Sequence, residues 1–263
     1  MTLDKNIQQH FRKDELPFMH QSSDLINQAL SEYRPILTGF VNNQELYLLE
    51  ILVNRYDDLK ISSWGGYKNA EMQRAIIYPL YFEPQRKDFE VSIISISYPI
   101  KFATLKHSQI LGTLMGSGIE RNVIGDIITD KEQWQFFVEA NMVDFLVNNV
   151  NHIGRTKVNL TEDLPDNILQ VNNDAKTVNV TLPSLRLDVV VASIFNISRS
   201  IAKELIIHDK VRLNWFTYDK PDYILAVHDL ISIRGFGRVR FNKNNGLSKK
   251  GKLKVEFDVI KNK

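Results

Sequence analysis

The stretch LRLDVVVASIFNISRSIAKELIIHDKVRL, residues 185–213, carries the clearest pattern in this chain of 263 residues. Its first part, residues 185–195, is almost entirely apolar and predicts a buried helix. Ser198 opens a second helix, because serine caps free amides and apolar residues then recur at helical spacing (positions 201, 202, 205 and 206). Alternating stretches predict strands over residues 211–215, 230–234, 238–241 and 252–260. Two short helices against a small sheet place residues 182–263 in the α+β class.

Charge is distributed unevenly along the chain. Residues 183–263 hold 16 lysines and arginines against 8 aspartates and glutamates, a net charge of +8. Residues 1–182 hold 17 against 23, a net charge of −6. A basic module attached to an acidic body favours a polyanion as partner, most often nucleic acid. A basic surface that only confers solubility is the alternative.

The start of the second helix offers a surface for anions. Arg199 and Lys203 lie four residues apart and therefore share one helical face. The free amides of a helix start favour phosphate beside these two cations. Arg186, one helix earlier, is expected to join them. Further cations lie on or beside strands, where alternate residues share a face: Arg234, Arg238 and Arg240.

Residues 88–160 show a different pattern of predicted helices and strands. Strands are predicted over 90–98, 123–128, 133–138 and 156–160, with helices over 107–115 and 143–153. This β-α-β-β-α-β order is that of a ferredoxin-like sheet, the plan of RNA recognition motifs. The third strand holds Trp134, Phe136 and Phe137, but without the flanking glycines of such motifs. A buried strand is the simpler interpretation of these aromatics.

The N-terminal part is predicted to be mainly helical. A short amphipathic piece covers residues 6–12, one helix runs from Ser22 or Ser23 towards Pro35, and others cover 43–53 and 69–77. Residues 59–63 predict a strand, and Gly65 and Gly66 a turn. The expected architecture is therefore α+β: an N-terminal, mainly helical α/β module (1–80), a ferredoxin-like RNA-recognition-motif-like module (81–160), a polar linker with one short strand (161–181) and the basic module (182–263).

Composition excludes several protein classes. There is no cysteine, so disulfides, thiol nucleophiles and cysteine-bound metals are excluded. No apolar run approaches the roughly 20 residues that a membrane helix needs. The start of the chain is polar and lacks the apolar region of a secretory signal. We therefore expect a cytoplasmic protein without a membrane partner.

The basic module resembles the S-four RNA-binding domain, named after a small-subunit ribosomal protein. The matching residues are RLD at 186–188, SRS at 198–200, AK at 202–203, LI at 205–206, Val211, Asn214 and DLISIRGFGR at 229–238. The resemblance implies structured RNA as the partner. By position, it implies that an RNA-binding face is lined by Arg186, Ser198, Arg199, Ser200 and Lys203. Asn214 and the loop of residues 234–238 are expected to support or extend that face.

Two positions depart from the S-four pattern. Asp209 stands where the family usually has glycine after the second helix, and aspartate tolerates a left-handed backbone better than most residues. His228 stands where a glycine usually precedes Asp229, which affects the local turn and not the domain.

A second motif resembles the bacterial YlmH proteins. HSQILGTLMGSGIERNVIGDI at 107–127 is similar to their central block, and WGGY at 64–67, Ala70, Glu71 and Arg74 to their N-terminal block. The resemblance implies a non-enzymatic protein that binds rRNA of the large ribosomal subunit and tRNA or peptidyl-tRNA, in ribosome-associated quality control; an older link is to cell division. Possible additional contacts to RNA or the ribosome are Trp64, Tyr67, Arg74, His107 and Arg121.

Signatures of catalysis are weak. The segment GTLMGSG at 112–118 lacks the spacing of a nucleotide loop, and a left-handed cap with close helix packing explains its glycines better. HIGR at 152–155 resembles a synthetase signature only by coincidence. Asp188 is expected to pair with a neighbouring base and Asp126 to order a turn, and His107 to cap a helix or contact RNA rather than act as a general base. We expect no cofactor, no metal and no small-molecule substrate.

Two alternatives stay open at this point. One is an RNA-modifying enzyme, for example similar to a pseudouridine synthase, with its catalytic residues in 1–160. Pseudouridine synthases carry the S-four domain ahead of their catalytic domain, however, and few residues follow it here. The other is a division-site scaffold with incidental affinity for RNA.

Overall fold

A computed structural model describes residues 16–170, 176–214, 216–227 and 229–261. By internal packing, the chain divides into two compact units, residues 1–172 and 173–263. No helix among the described residues is long and apolar enough to cross a membrane. The short amphipathic piece predicted at 6–12 and the turn at His228 lie outside the described residues.

The N-terminal module combines two helices with three strands. Its elements are α1 (Leu16–Glu32), β1 (Ile36–Asn42), α2 (Asn43–Val53), β2 (Leu59–Trp64) and β3 (Met72–Pro79). The strands form an antiparallel sheet in the order β1-β3-β2. The side chain of Asn42 caps α2 by accepting hydrogen bonds from the amides of Gln44 and Glu45, which fixes the tight passage from β1 into the helix.

The N-terminal module has the expected α/β character, but two of its elements differ from prediction. The helix predicted at 69–77 is β3, and β1 was not predicted at all. β3 is the central strand of its sheet, and Ala75, Ile76 and Ile77 are almost fully buried in a row. A strand buried on both faces loses the alternation of apolar and polar residues, so its sequence resembles that of a buried helix.

The central module has the predicted ferredoxin-like order. Its main elements are β4 (Val91–Ser97), α3 (His107–Gly116), β5 (Ile124–Thr129), β6 (Trp134–Glu139), α4 (Val143–Asn149) and β9 (Asn159–Asp163). The antiparallel sheet has the order β5-β6-β4-β9. Both helices pack on one face, where Ile94, Phe136 and Val138 meet Ile110 and Leu146.

Two details of the central module differ from prediction. The second helix ends at Asn149 rather than residue 153, because a hairpin of β7 (His152–Ile153) and β8 (Thr156–Lys157) precedes β9. Close helix packing does not explain the glycines at 112 and 116, since a Cβ there would meet no atom within 4 Å. Gly118 has φ +90°, the left-handed backbone expected of a cap.

The C-terminal unit places two helices on one face of a six-stranded sheet. Its elements are β10 (Lys176–Leu182), α5 (Leu187–Phe195), α6 (Arg199–Ile207), β11 (Val211–Leu213), β12 (Phe216–Thr217), β13 (Leu230–Ile233), β14 (Gly237–Leu247) and β15 (Leu253–Lys261). The sheet order is β10-β15-β14-β13-β11-β12. The strand expected inside the linker is β10, and it pairs with β15 over its whole length.

Candidate nucleic-acid interface

A buried carboxylate organises the start of the two helices in the C-terminal unit. Asp188 lies in the first turn of α5 and has no exposed surface. Its Oδ1 accepts a hydrogen bond from Arg186 Nε at 3.1 Å, and its Oδ2 accepts from Arg186 Nη2 at 3.3 Å and from Arg199 Nε at 3.0 Å. One carboxylate therefore holds both arginines, and it joins the start of α5 to the start of α6.

The ionisation of Asp188 follows from these contacts. Burial alone would raise the pKa of the carboxyl, but the hydrogen bonds and charges of Arg186 and Arg199 outweigh it and hold the pKa below the ordinary value. The carboxylate is therefore charged at neutral pH. Because the side chain of Arg199 is still 53% exposed, its guanidinium is positioned and yet accessible to an anion.

The start of α6 has the local geometry expected from the sequence. Ser198 Oγ accepts a hydrogen bond from the Ile201 amide at 3.2 Å and lies 2.8 Å from Ser200 Oγ. Lys203 is exposed one turn after Arg199. Arg186, Ser198, Arg199, Ser200 and Lys203 thus come together around one helix start, and this set of five residues is called the helix-start cluster.

Asn214 has a structural role beside this cluster. Its Nδ2 donates to Asp229 Oδ1 at 2.7 Å, and its Oδ1 accepts from the Leu230 amide at 2.8 Å. Its backbone is left-handed, with φ +49°. The side chain therefore joins the end of β11 to the start of β13. This geometry favours a supporting role for Asn214 over direct contact with RNA. Asp229, its partner, was not singled out from the sequence, although it opens the quoted stretch at 229–238.

The three remaining arginines do not join the helix-start cluster. Arg238 and Arg240 alternate along β14 with the core residues Val239 and Phe241, so they lie on the sheet face opposite the helices. Arg240 is paired in register with Asp258 of β15, whose carboxylate faces the same side. Arg234 is exposed in the turn between β13 and β14. The residues predicted to bind RNA thus divide into separate surfaces.

The central sheet does not present the open face that RNA recognition motifs use for stacking bases. Phe136 points to the helices, whereas Phe137 points to the other face. There it packs with Ile93 and Ile128 against Phe40 of the N-terminal module. Tyr67 stacks on Phe137 with ring centroids 5.1 Å apart. The N-terminal module therefore covers this half of the face, and the prediction that the aromatics of β6 are core residues is confirmed.

A polar network closes the other half of the same face. Gln135 is 3% exposed, and its Nε2 donates to Ser95 Oγ, Asp163 Oδ2 and the Asn167 carbonyl at 2.9–3.1 Å. Its Oε1 accepts from the Leu169 amide at 2.9 Å. These bonds hold the segment after β9 against the sheet. Unpaired bases therefore have no access to this face.

The WGGY motif joins the two modules. The Tyr67 hydroxyl donates to Asp126 Oδ2 at 2.8 Å, and the amides of Glu71 and Met72 donate to the same carboxylate at 2.7 and 3.1 Å. Burial, then the charge of Asp126, raises the pKa of Tyr67 above its ordinary value, so the hydroxyl stays protonated. Asp126 orders the turn, as predicted, and the partly buried side chain of Tyr67 is engaged in a contact within the protein.

Arg74 is also a structural residue. Arg74 is 5% exposed and donates to the carbonyl oxygens of Thr38, Phe89 and Glu90 at 2.9–3.1 Å. Its Nη2 also forms an ion pair with Glu139 Oε1 at 3.5 Å. These contacts hold Arg74 inside the fold and argue against the additional contact to RNA or the ribosome predicted for it. A buried guanidinium needs several acceptors, and the sequence does not reveal where those carbonyl groups lie.

The other three residues of that set remain near the surface. Trp64 is partly buried, with the guanidinium of Arg86 4.8 Å from its ring centroid. His107 is exposed as the first residue of α3. Arg121 donates to the Ile124 carbonyl through Nη1. No group of three or more potential metal-binding side chains occurs within the described ranges.

Comparisons with known proteins agree with this architecture. Three family models match the chain: the N-terminal domain of YlmH at residues 15–82, a candidate RNA-binding domain in YlmH at 84–166, and the S4 domain at 185–231. The solved structure of the cell division protein ylmH from Streptococcus pneumoniae is 36% identical, with a TM-score of 0.52, and the match covers 59% of this chain and 94% of that one.

A relative matches almost the full length. The ribosome-associated protein quality control protein P2 of Bacillus subtilis (strain 168) is 37% identical over 255 residues, which cover 96% of this chain and 98% of that protein. The three family models follow one another along the chain in the order N-terminal domain, candidate RNA-binding domain and S4 domain. The chain therefore belongs to the YlmH family of RNA-binding proteins that contain an S4 domain.

Proposed function

We propose that this protein is a non-enzymatic RNA-binding protein that docks on structured rRNA of the large ribosomal subunit, together with tRNA or peptidyl-tRNA. Its role would be in the quality control of stalled nascent chains, as the name of the Bacillus subtilis relative suggests. The observation that carries the proposal is the helix-start cluster, in which the buried carboxylate of Asp188 holds two arginines beside exposed Lys203 and two serine hydroxyls.

The cluster suits a phosphate backbone. A guanidinium can bind phosphate through two parallel hydrogen bonds, and a guanidinium already fixed by Asp188 loses less side-chain entropy on binding. The amides at the start of α6 add partial positive charge for the same anion. Such contacts set the position of the domain on folded RNA, while the shape of the RNA supplies most of the specificity.

The two carboxylates that could have supported catalysis are engaged in structure. Asp126 accepts three hydrogen bonds from Tyr67, Glu71 and Met72, and Asp188 is paired with two arginines. Neither is left as a free general base near an accessible partner. This supports a role in binding and not in RNA modification. Incubating the protein with rRNA and tRNA tests this. A change in RNA mass would contradict it, and so would new pseudouridine detected by carbodiimide labelling, since that isomerisation leaves the mass unchanged.

The double variant Arg199→Ala with Lys203→Ala tests the RNA-binding surface. We expect the affinity for purified large subunits and tRNA to fall severalfold or more, because both side chains are exposed to an anion. The thermal unfolding temperature should also fall, because Arg199 donates to the buried carboxylate of Asp188, so binding is measured at a temperature at which both double variants are folded. Arg155→Ala with Lys157→Ala is the matched control, since it removes the same two charges from exposed positions in the acidic unit. Equal affinity of the two double variants would contradict the assigned surface.

The name of the Streptococcus pneumoniae structure suggests a second candidate, a role at the division site. Sedimentation of cell extract in a sucrose gradient separates the two functions. A protein of ribosomal quality control sediments with large subunits. Its proposed location is therefore the cytoplasm, in association with ribosomes. A scaffold of the division site does not travel with them.

A further inference from the structure

The central module presents one strongly exposed aromatic ring. Phe102 is 90% exposed, and Ile100, two residues earlier, is 45% exposed. Both lie between β4 and α3 in residues 98–106, YPIKFATLK, which are called the Phe102 loop. A phenylalanine in water gives up roughly 2 kcal/mol of burial free energy, so two exposed apolar side chains in one short loop form a candidate contact surface.

The Phe102 loop is held in place at several points. The amides of Phe102 and Ala103 both donate to the Pro99 carbonyl, at 2.9 and 3.0 Å. The Tyr98 hydroxyl donates to the Glu132 carbonyl at 2.7 Å, and Leu105 is buried in the core. The exposed ring therefore projects from a fixed turn, which lowers the entropy cost of binding through it.

The charge around the ring is positive in a unit that is otherwise acidic. Residues 98–119 contain no aspartate or glutamate, and Lys101 and Lys106 are exposed on either side of Phe102. The acidic residues Asp130 and Glu132 lie near Tyr98, at the base of the loop. An exposed aromatic ring with cations close by along the chain is a combination that suits a stacked base and its phosphates.

We propose that the Phe102 loop binds an unpaired nucleotide of RNA, with the base stacked on the ring and the flanking phosphates near the two lysines. This inference rests on the proposed function and assigns a second RNA contact, separate from the helix-start cluster. It also explains how the central module contacts RNA although the usual stacking face of its sheet is closed by Tyr67, Phe40 and the Gln135 network.

Phe102→Ala in the full-length protein is the direct test. The probes are an RNA stem with an unpaired extension and the same stem with a blunt end. We expect about 5- to 150-fold weaker binding of the extended stem, the range for losing one base stack, and unchanged binding of the blunt stem. Phe102→Trp keeps a flat aromatic face and should retain binding, whereas Phe102→Leu keeps apolar volume only and should lose it.

Matched measurements separate the possible failures. Leu164→Ala removes another exposed apolar side chain, 68% exposed, from the same unit and should leave both probes unaffected. Photocrosslinking of thiouridine in the extension should label Phe102 or a direct neighbour. If Phe102→Ala binds the extended stem as tightly as wild type does, the proposed nucleotide site is wrong. The double variant Arg199→Ala with Lys203→Ala tests the proposed function independently of this result.

Two other outcomes would also overturn the nucleotide site. Retained binding in Phe102→Leu would mean that the side chain makes a general apolar contact and not a stack. Weaker binding to intact large subunits, without any change on protein-free RNA, would identify a ribosomal protein as the partner of the loop.

Discussion

Asp188 is the residue on which the helix-start cluster depends. It is fully buried and carries its charge only because Arg186 and Arg199 donate to it. Removing the buried charge of Asp188 breaks its charge-assisted hydrogen bonds to the two partly exposed arginines. It also releases their guanidinium groups from a fixed position. Stability and RNA affinity are therefore coupled at this residue.

Asp188→Asn should lower the free energy of unfolding by about 1–3 kcal/mol at pH 7, the range for hydrogen bonds to a charged group. The pKa of Asp188 is lowered in the folded state, so its contribution is present above the ordinary value of 3.8 and is lost as the pH falls through the folded pKa. Urea unfolding of the wild type and of Asp188→Asn across this pH range measures the contribution of Asp188 to the free energy of unfolding. A penalty that stays constant down to the lowest pH would contradict the ionic role.

Tyr67 tests the junction of the N-terminal and central modules. Tyr67→Phe keeps the ring on Phe137 but removes the hydroxyl that donates to the partly buried carboxylate of Asp126. We expect a loss of about 1–2 kcal/mol in urea unfolding, because the acceptor is charged. Tyr47→Phe, at a tyrosine that is 57% exposed, is the control and should change stability by less than about 0.5 kcal/mol.

Among the elements, the turn between β2 and β3 shows best how local and distant constraints combine. The sequence predicts a turn from Gly65 and Gly66, and the structure has one. Gly66 has φ +96°, and a Cβ there would lie 2.2 Å from Phe137 Cδ1. The left-handed backbone follows from the local sequence, whereas the contact with Phe137 belongs to a strand of the other module.

Gly66→Ala should destabilise the protein by more than about 1–2 kcal/mol, because the backbone strain and the clash with a buried ring add. Gly116→Ala is the matched control: it lies in α3, and its Cβ would meet no atom within 4 Å. That change should be neutral or stabilise by up to about 1 kcal/mol, since alanine favours the helix. Thermal unfolding of both variants checks the contrast, and equal losses would contradict it.

One strand that the sequence pattern failed to predict has two buried faces. β3 reads as a helix because it is covered on both sides, whereas β4 and β15 alternate and were predicted correctly. At Asp209, where glycine is usual in S-four domains, φ is +58°, and aspartate adopts this backbone at small cost. The turn after α6 is thus preserved despite the substitution.

For the molecule as a whole, the division of charge predicts how binding responds to salt. Residues 183–263 carry +8 and the preceding residues −6, so RNA binding should weaken steeply as salt rises. Arg199→Ala with Lys203→Ala should reduce the slope of log K against log salt by about 1.5, since each phosphate contact contributes roughly 0.7–0.9. An unchanged slope, equal to that of Arg155→Ala with Lys157→Ala, would show that the cluster contacts no phosphate.

The amino-acid sequence was sufficient for features that depend on near neighbours along the chain. The cap of Ser198 on Ile201, the shared helical face of Arg199 and Lys203, the order of the ferredoxin-like strands and the division of charge all follow from short-range spacing or from composition. Helix caps and strand alternation are local, and a single chain displays them directly.

Contacts between distant residues required the folded structure. Tyr67 and Asp126 are 59 positions apart, and Arg74 binds carbonyl groups of two other segments, so both side chains have structural partners that the sequence does not reveal. Arg240 and Arg199 are both basic and belong to the same module, but the sheet separates them onto opposite faces. Whether a side chain is buried, and which face of a sheet it lies on, depends on how distant segments pack. Neither residue type nor spacing along the chain reveals that packing.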